Sequence, residues 1–325
     1  MLAKKRKLVL KSGVTLDLPL LLPSFSSKTF QDERVGKIVE YMSSVITDEV
    51  LISAYDLYYK EIKKKISFPS VVFIDSGGYE ASLEGDLSET GKRAHTPRRW
   101  EREFHQRVLV RWNYSPDTVL ISFDSPRTKT NIQGQIIRAK RLFDAHPRGN
   151  SELLIKTSSL KEPYVNFDEV IRHVHDMAAF DIVGFTEKEL GESTLQRMCN
   201  IAKMREAFNG TGLDIPIHVF GSLDTVSTPL YFLAGADIFD GLTWLRFAFD
   251  EGNTVYKHNY GAKRRGIRLE DFRVNGTVWN SNYYYMRELK DDMLKFLVAQ
   301  DYSSFRWNGE FFKEAMTVFN AKRVE

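Results

Sequence analysis

Cysteine is almost absent from this 325-residue chain: Cys199 is the only one. A single thiol cannot form a disulfide within the chain, and a cysteine-rich structural zinc site needs several thiolates. The cysteine content therefore predicts a reducing, cytoplasmic setting and no metal site.

Long hydrophobic runs are also missing, since none approaches the ~18 apolar residues that a membrane-spanning helix requires. The apolar stretch nearest the start, residues 18–25, is interrupted by Pro19 and Pro23. We therefore expect neither a signal peptide nor contact with a membrane. A strong excess of charge is lacking too, because 46 basic residues against 43 acidic ones leave a net charge of +3. That balance alone does not indicate a nucleic-acid binder.

Nucleotide-binding fingerprints do not occur either. Gly210 and Gly212 form a G-x-G pair, but no third glycine follows at the required spacing, and the pair precedes a predicted strand. There is no P-loop. The hydrophobic share of 42% and the charged share of 27% exclude a disordered, collagenous or coiled-coil chain.

Short apolar runs that are typical of buried strands recur along most of the chain. They are Leu18–Pro23, Val50–Ala54, Val71–Ile74, Thr118–Phe123, Leu153–Ile155, Asp181–Val183, Ile215–Phe220 and Ala236–Phe239. Stretches with helical spacing separate several of them: Trp100–Trp112, Ile132–Ala145, Phe167–Phe180 and Leu195–Phe208. Length alone allows two domains or one large barrel. Eight strands alternating with helices favour a (β/α)8 barrel over residues 1–250, followed by a small C-terminal part, residues 251–325.

The C-terminal part carries the positive charge. Residues 257–290 contain eight basic side chains against three acidic ones, a net charge of +5, so the rest of the chain carries about −2. Aromatic residues such as Tyr256, Tyr260 and Trp279 lie between them. Stacking rings beside cationic side chains are typical of nucleic-acid surfaces, although a solvated protein surface has the same composition.

Three of the apolar runs end in an aspartate followed by small or turn-forming residues: Asp75, Asp124 and Asp240. Barrel enzymes place reactive side chains at this end of their strands. Any one of the three could simply cap the following helix. Together they favour a site with a nucleophilic carboxylate, an acid/base and a group that binds a substrate. Of the seven histidines we expect only His218, on the strand that leads to Gly221, to line the pocket.

Several motifs occur in the order seen in one known family. LKSGVTLDLPLLLPSFSS, VLISAYDL, FIDSGGYE, SPDTVLISFDSP, HVFGS and GADIFDGLTWLR follow one another between about residues 8 and 250. Through them the chain resembles the tRNA-guanine transglycosylase superfamily. The resemblance implies that Asp240 is a nucleophile that displaces a base from C1′ of a nucleoside, and that Asp75 is the acid/base. It implies a retaining double displacement through a covalent aspartyl intermediate.

The resemblance also assigns base-binding residues. It implies that Asp124 accepts hydrogen bonds from the purine, that Tyr79 stacks on it, and that the backbone of Gly184 contacts it. The other expected base contacts are Lys156, Phe220, Gly221 and His218. Lys156 stands where the family has a glutamine, Phe220 where it has a methionine, and Glu80 follows the glycine pair in place of a glutamine. These departures bear on which base is selected.

The zinc pattern of the family, C-x-C-x-x-C followed by a histidine, is missing from the segment FRVNGTVWNSNYYYMREL. We expect this part to fold without metal, through a helix whose apolar face contains Tyr283, Met286, Leu289, Met293 and Phe296. Contacts with nucleic acid are expected from Arg246, Lys263, Arg264, Arg265, Arg268 and Arg273.

The sequence therefore predicts an enzyme that exchanges guanine in nucleic acid for a 7-deazaguanine base, without a cofactor. DNA is favoured over tRNA because the chain departs from the tRNA motifs. The alternatives are a tRNA-guanine transglycosylase, a non-catalytic nucleic-acid-binding subunit that keeps the fold, and a barrel that acts on a free nucleoside. A homodimer or an accessory protein is compatible with each.

Overall fold

The computed structural model describes residues 2–30, 34–89 and 95–324. Eight strands form its centre: β3 Leu20–Phe25, β4 Glu49–Ser53, β5 Val71–Asp75, β6 Asp117–Ile121, β7 Asn150–Ile155, β8 Ile182–Thr186, β9 Ile217–Phe220 and β10 Ile238–Gly241. They are parallel and close into a barrel, in which β10 pairs with both β9 and β3. The predicted (β/α)8 barrel is confirmed, and every predicted apolar run overlaps one barrel strand.

Helices surround the barrel: α1 Arg34–Met42, α2 Ala54–Tyr58, α3 Arg102–Arg111, α4 Ile132–Asp144, α5 Phe167–Arg172, α6 Thr194–Gly210, α7 Ser227–Leu233, α8 Thr243–Arg246, α9 Lys257–Arg265, α10 Asp271–Ala299 and α11 Gly309–Val324. Two β-hairpins lie outside the barrel: β1 Lys7–Val9 with β2 Thr15–Asp17, and β11 Ala248–Asp250 with β12 Asn253–Val255. The stretch predicted as one helix over 167–180 is α5 followed by a 3₁₀ helix, Val174–Ala179.

The alternation of strand side chains decides which residues face the interior of the barrel. Phe73 and Ile238 belong to the interior cluster, whereas Ile74 and Phe239 belong to the layer between strands and helices. Because strand side chains alternate with a period of two, Asp75 and Asp240 continue the inward rows at the carboxyl ends of β5 and β10. The strand pattern therefore brings both aspartates to one mouth of the barrel.

The opposite end of the barrel is closed by the hairpin β1–β2. Leu8 and Leu10 belong to the same cluster as the barrel interior, and the Asn150 side chain at the start of β7 binds the backbone of Val9 and Lys11. This end is therefore filled with apolar side chains, which leaves the carboxyl end as the open one.

The long helix α10, in the C-terminal part of the chain, packs on the barrel. The five residues predicted to share one helix face are all buried, and the ring of Phe296 lies 6.2 Å from that of Phe232 on α7. The buried Asn282 amide donates to the carbonyl oxygens of Trp244 and Phe247 and accepts from the N–H of Phe249. The predicted helix face is confirmed, and α10 shares the main hydrophobic core with the barrel. No helix among the described residues is both long enough and apolar enough to cross a membrane.

Candidate active site

A cavity of about 510 Å³ opens at the carboxyl ends of the barrel strands. Its wall includes Asp75, Asp124 and Asp240, the three aspartates that follow apolar runs in the sequence. Tyr79, Lys156, Phe220 and Gly221 line it as well. A volume of this size is within the range of small-molecule sites and accommodates a nucleoside.

Asp240 is buried and held by three groups. Its Oδ2 accepts a hydrogen bond from the Ser24 hydroxyl at 2.7 Å, and its Oδ1 accepts one from the Gly221 N–H at 3.2 Å. Gly221 has a φ of +86°, a backbone conformation that favours glycine. In this conformation its N–H faces the carboxylate of Asp240. The Nε2 atom of His218 lies 3.3 Å from Oδ1. Two directed hydrogen bonds and a neighbouring imidazole therefore fix the carboxylate in one orientation.

His218 is fully buried between two carboxylates. Its Nδ1 lies 2.7 Å from Oε1 of Glu152, which is on an inward row of β7, two strands away from β9. Burial by itself lowers the pKa of this imidazole, but Glu152 and Asp240 outweigh burial and raise the pKa to about 9. Burial raises the pKa of Glu152, and His218 opposes that shift. The imidazole is therefore a cation near neutral pH, and it places a positive charge 3.3 Å from Oδ1 of Asp240.

Asp75 has a different environment. The N–H of Gly77 donates to its Oδ2 at 3.0 Å. Burial, and after it the carboxylate of Glu80, raise the pKa of Asp75 to about 7. Glu80 is itself buried and accepts hydrogen bonds from the hydroxyls of Ser26 and Ser53. Near neutral pH Asp75 is thus divided between its acid and its base form, which suits proton transfer in both directions.

A network of charges forms the wall around Asp124. Lys129 Nζ lies 3.0 Å from Oδ1 of Asp124, and Lys156 Nζ lies 3.8 Å from Oδ2. Lys156 also contacts Oε1 of Glu189 at 2.5 Å. Burial lowers the pKa of Lys156, but the carboxylates of Asp124 and Glu189 outweigh it, and the net pKa is raised. Lys156 is therefore charged, and its ammonium group can only donate hydrogen bonds.

Tyr79 and Arg246 contact each other at the rim of the cavity. Lys28 Nζ lies 4.2 Å from the centre of the Tyr79 ring, and the hydroxyl of Tyr79 accepts a hydrogen bond from Arg246. Arg246 is only 9% exposed and also binds Asp86 at 2.6 Å. Arg246 was expected among the residues that bind nucleic acid. In the structure its guanidinium group binds Asp86 and Tyr79 at the barrel mouth.

Gly184 and His218 do not line the cavity, in contrast to the expected direct base contacts. A Cβ atom on Gly184 would lie 2.5 Å from the Phe220 ring and 2.8 Å from Oε1 of Glu152. The imidazole of His218 stacks on the ring of Phe220, with 3.9 Å between the ring centres. Phe220 lines the cavity in place of these two residues. Gly184 leaves room for the Phe220 ring, and His218 contacts Asp240 through Nε2.

The basic C-terminal residues fall into two groups. Arg264 binds Asp250 and Glu251, and Arg273 lies 3.4 Å from Glu270. Lys263, Arg265 and Arg268 are exposed and form no hydrogen bond or ion pair with other described side chains. Of the six basic residues expected to bind nucleic acid, these three are the ones whose charge no described acidic side chain pairs with.

The family zinc site does not fit the residues present. The segment that would carry its ligands is part of α10, and its inward positions are Val278, Asn282, Tyr283 and Met286, none of which is a thiolate. Within the described ranges, no three histidine, cysteine, aspartate or glutamate side chains are grouped so that they could hold a metal ion.

Three of the groups around the aspartates were not expected from the sequence: Glu152, Lys129 and Glu189. Glu152 had a detectable signal, because it lies two residues before Leu154 on an inward row of a buried strand. A carboxylate at such a position needs a partner. Lys129 lies in a loop and Glu189 in a three-residue 3₁₀ helix, and neither segment is long enough or regular enough for periodicity to predict the direction of a side chain.

Comparison with known proteins gives one significant similarity to a curated protein. The chain is 22% identical to a tRNA-guanine(15) transglycosylase of Haloferax volcanii over 251 residues, which are 74% of this chain and 46% of that protein. The chain thus spans less than half the length of this relative. No protein-family profile matches the chain. Together with the barrel, the similarity supports a relationship to guanine transglycosylases in general.

Proposed function

We propose that the protein is a guanine transglycosylase that exchanges guanine in nucleic acid for a 7-deazaguanine base, with DNA favoured over tRNA. One observation carries the proposal. Asp240 and Asp75 line the same cavity, and their surroundings differ: Ser24, Gly221 and His218 hold the carboxylate of Asp240 in one orientation, whereas burial and Glu80 raise the pKa of Asp75 to about 7. An oriented carboxylate beside a carboxyl group that keeps its proton near neutral pH suits a nucleophile and a general acid.

In the first step the ionised Asp240 attacks C1′ of the target nucleoside. A bond forms between the carboxylate oxygen and C1′, and the bond between C1′ and the base nitrogen breaks. The electron pair of that bond goes to the departing guanine, which receives a proton from Asp75. The hydroxyl of Ser24 and the N–H of Gly221 orient the carboxylate for this attack.

In the second step Asp75, now ionised, accepts the proton of the ring nitrogen of the incoming 7-deazaguanine. That nitrogen attacks C1′, and Asp240 leaves. Two inversions at C1′ return the original configuration, as in retaining glycosidases. The target nucleotide has to leave its stack to reach the bottom of the cavity.

DNA is favoured because the segment without the zinc pattern is a cysteine-free helix packed on the barrel, and because Lys156 stands where the resemblance leads us to expect a base-contacting glutamine. The second candidate is a tRNA-guanine transglycosylase. It is favoured by the activity for which the Haloferax volcanii relative is named. Phosphate contacts are possible with either polymer.

The test is base exchange with labelled guanine or 7-deazaguanine and either duplex DNA or tRNA. We expect label in DNA with the wild-type protein, and none with Asp240→Asn, which cannot form the covalent intermediate. The Asn variant should keep its melting temperature within a few degrees, and the wild type alone should give a denaturant-stable adduct with nucleic acid. Label that enters tRNA and not DNA would reverse the substrate choice, and exchange by Asp240→Asn would remove Asp240 from the mechanism.

A further inference from the structure

A second cavity of about 490 Å³ adjoins the first. It lies between α3, α4 and the loop that follows β6, and it shares Asp124, Lys129, Leu154 and Lys156 with the first cavity. The two cavities are therefore contiguous, and the charged network around Asp124 forms their common wall. None of the roles assigned above uses the second cavity.

Arginine dominates the lining of this second cavity. Arg102 lies at the start of α3, Arg127 in the loop after β6, and Arg138 and Arg141 one turn apart on α4. All four are exposed, and none of their side chains forms a hydrogen bond or an ion pair with the described part of the chain. Four guanidinium groups thus face one space without a carboxylate at ion-pair distance.

Two of the three acidic residues of the same lining are bound by basic side chains other than these arginines. Both carboxylate oxygens of Glu101 bind Arg99, at 2.9 and 3.0 Å, and Asp124 binds Lys129. Glu103 is the third acidic residue of the lining. The second cavity therefore has a clear excess of positive charge close to the proposed site of base exchange.

The basic C-terminal segment offers fewer unpaired arginines than this cavity. Of its eight basic side chains, four are paired with acidic residues of the protein: Arg264, Arg273, Arg287 and Lys290. Unpaired arginine is the better ligand for a phosphodiester, because its planar group donates two parallel hydrogen bonds to phosphate oxygens.

We propose that the second cavity binds backbone phosphates of the nucleic acid next to the target nucleoside. The inference rests on the proposed function, and it names the path of the substrate: a strand whose target base occupies the first cavity continues over the wall at Asp124 into the space between α3 and α4. Arg102 and Arg138 approach that space from its two sides.

Equilibrium binding tests this path without any catalytic step. Fluorescently labelled single-stranded DNA, duplex DNA and tRNA are titrated with the double variant Arg102→Gln/Arg138→Gln at several salt concentrations. The matched control is Arg111→Gln/Lys140→Gln, which removes the same charge from the same two helices outside the cavity. We expect the cavity variant to bind about tenfold more weakly and to lose about one to two units of slope in log Kd against log salt. The control should stay within about twofold of the wild type.

Equal losses in both variants would show that only net charge matters and would overturn the proposal. Binding of inorganic phosphate that depends on Arg102 and Arg138, with polynucleotide affinity unchanged, would also contradict it. A second pair, Arg127→Gln/Arg141→Gln, should reproduce the effect if the first variant unfolds. Because affinity is measured, a protein that binds through these arginines but exchanges no base would refute the proposed function and leave the phosphate site standing.

Discussion

At the scale of single residues, the protonation of Asp75 makes a testable prediction. Its pKa is raised to about 7, first by burial and then by Glu80, and the first step needs the protonated form. We expect the single-turnover rate of covalent intermediate formation to fall as pH rises through about 7. Glu80→Gln removes one of the charges that raise the pKa, so the midpoint of this decline should move to lower pH.

A pH profile of the single-turnover rate in both proteins makes this measurement. Ser82→Ala, a change near the rim that leaves both carboxylates in place, serves as the control. A midpoint that stays unchanged or rises in Glu80→Gln would show that Asp75 is not the titrating acid.

At the scale of elements, the pair His218–Glu152 joins β9 to β7 behind Asp240 on β10. The folded-state pKa of His218 is about 9, above its ordinary value of 6.5, so the folded protein binds more protons than the unfolded chain between these values. The contribution of His218 to stability is therefore complete below about pH 6.5 and is lost as pH rises through about 9.

Chemical unfolding at several pH values tests this linkage. The free energy of unfolding of the wild type should decrease between about pH 6.5 and 9, and His218→Gln should remove that part of the decrease. His175→Gln changes an exposed histidine and should keep the wild-type slope. The same decrease in all three proteins would show that His218 is not charged in the folded state.

At the scale of the whole molecule, the distribution of charge matters more than the net charge of +3. A basic side chain that is already paired with a carboxylate neutralises no phosphate and releases no counterion from the nucleic acid. Such side chains therefore add little to the salt dependence of binding. We expect Lys263→Gln/Arg268→Gln to reduce the slope of log Kd against log salt by about two. Arg264→Gln/Arg273→Gln should reduce it by less than one, although the change in net charge is the same. Equal slopes for the two variants, measured by fluorescence anisotropy, would contradict this division.

The strands of the barrel could be predicted from the sequence, whereas the contacts made across the barrel could not. Strands of a closed parallel barrel are buried on both sides, so each appears as a short apolar run, and a carboxylate such as Asp75 or Asp240 at the end of a run continues its inward row. The sequence could not predict contacts made across the barrel. The contact of Arg246 with Asp86 joins helix α8, which follows β10, to the loop after β5, and Phe220 lies against Gly184 because β9 is beside β8.

The arginines of the second cavity illustrate the same limit. Arg102, Arg127, Arg138 and Arg141 are spread over three segments of the chain and form no cluster in the sequence, unlike residues 257–290. Local composition therefore emphasised the C-terminal segment, where the tertiary structure places acidic partners beside half of the basic residues.

The wall shared by the two cavities has a consequence for energetics. Lys129 faces both cavities and is bound to Asp124. A purine that donates to Asp124 competes with this ammonium group and frees it for an anion on the other side. We therefore expect thermodynamic coupling: an occupied second cavity tightens base binding, and a bound base tightens the anion site by the same factor. Such reciprocity would let the protein prefer a guanine presented by a polymer over the same guanine in a free nucleoside.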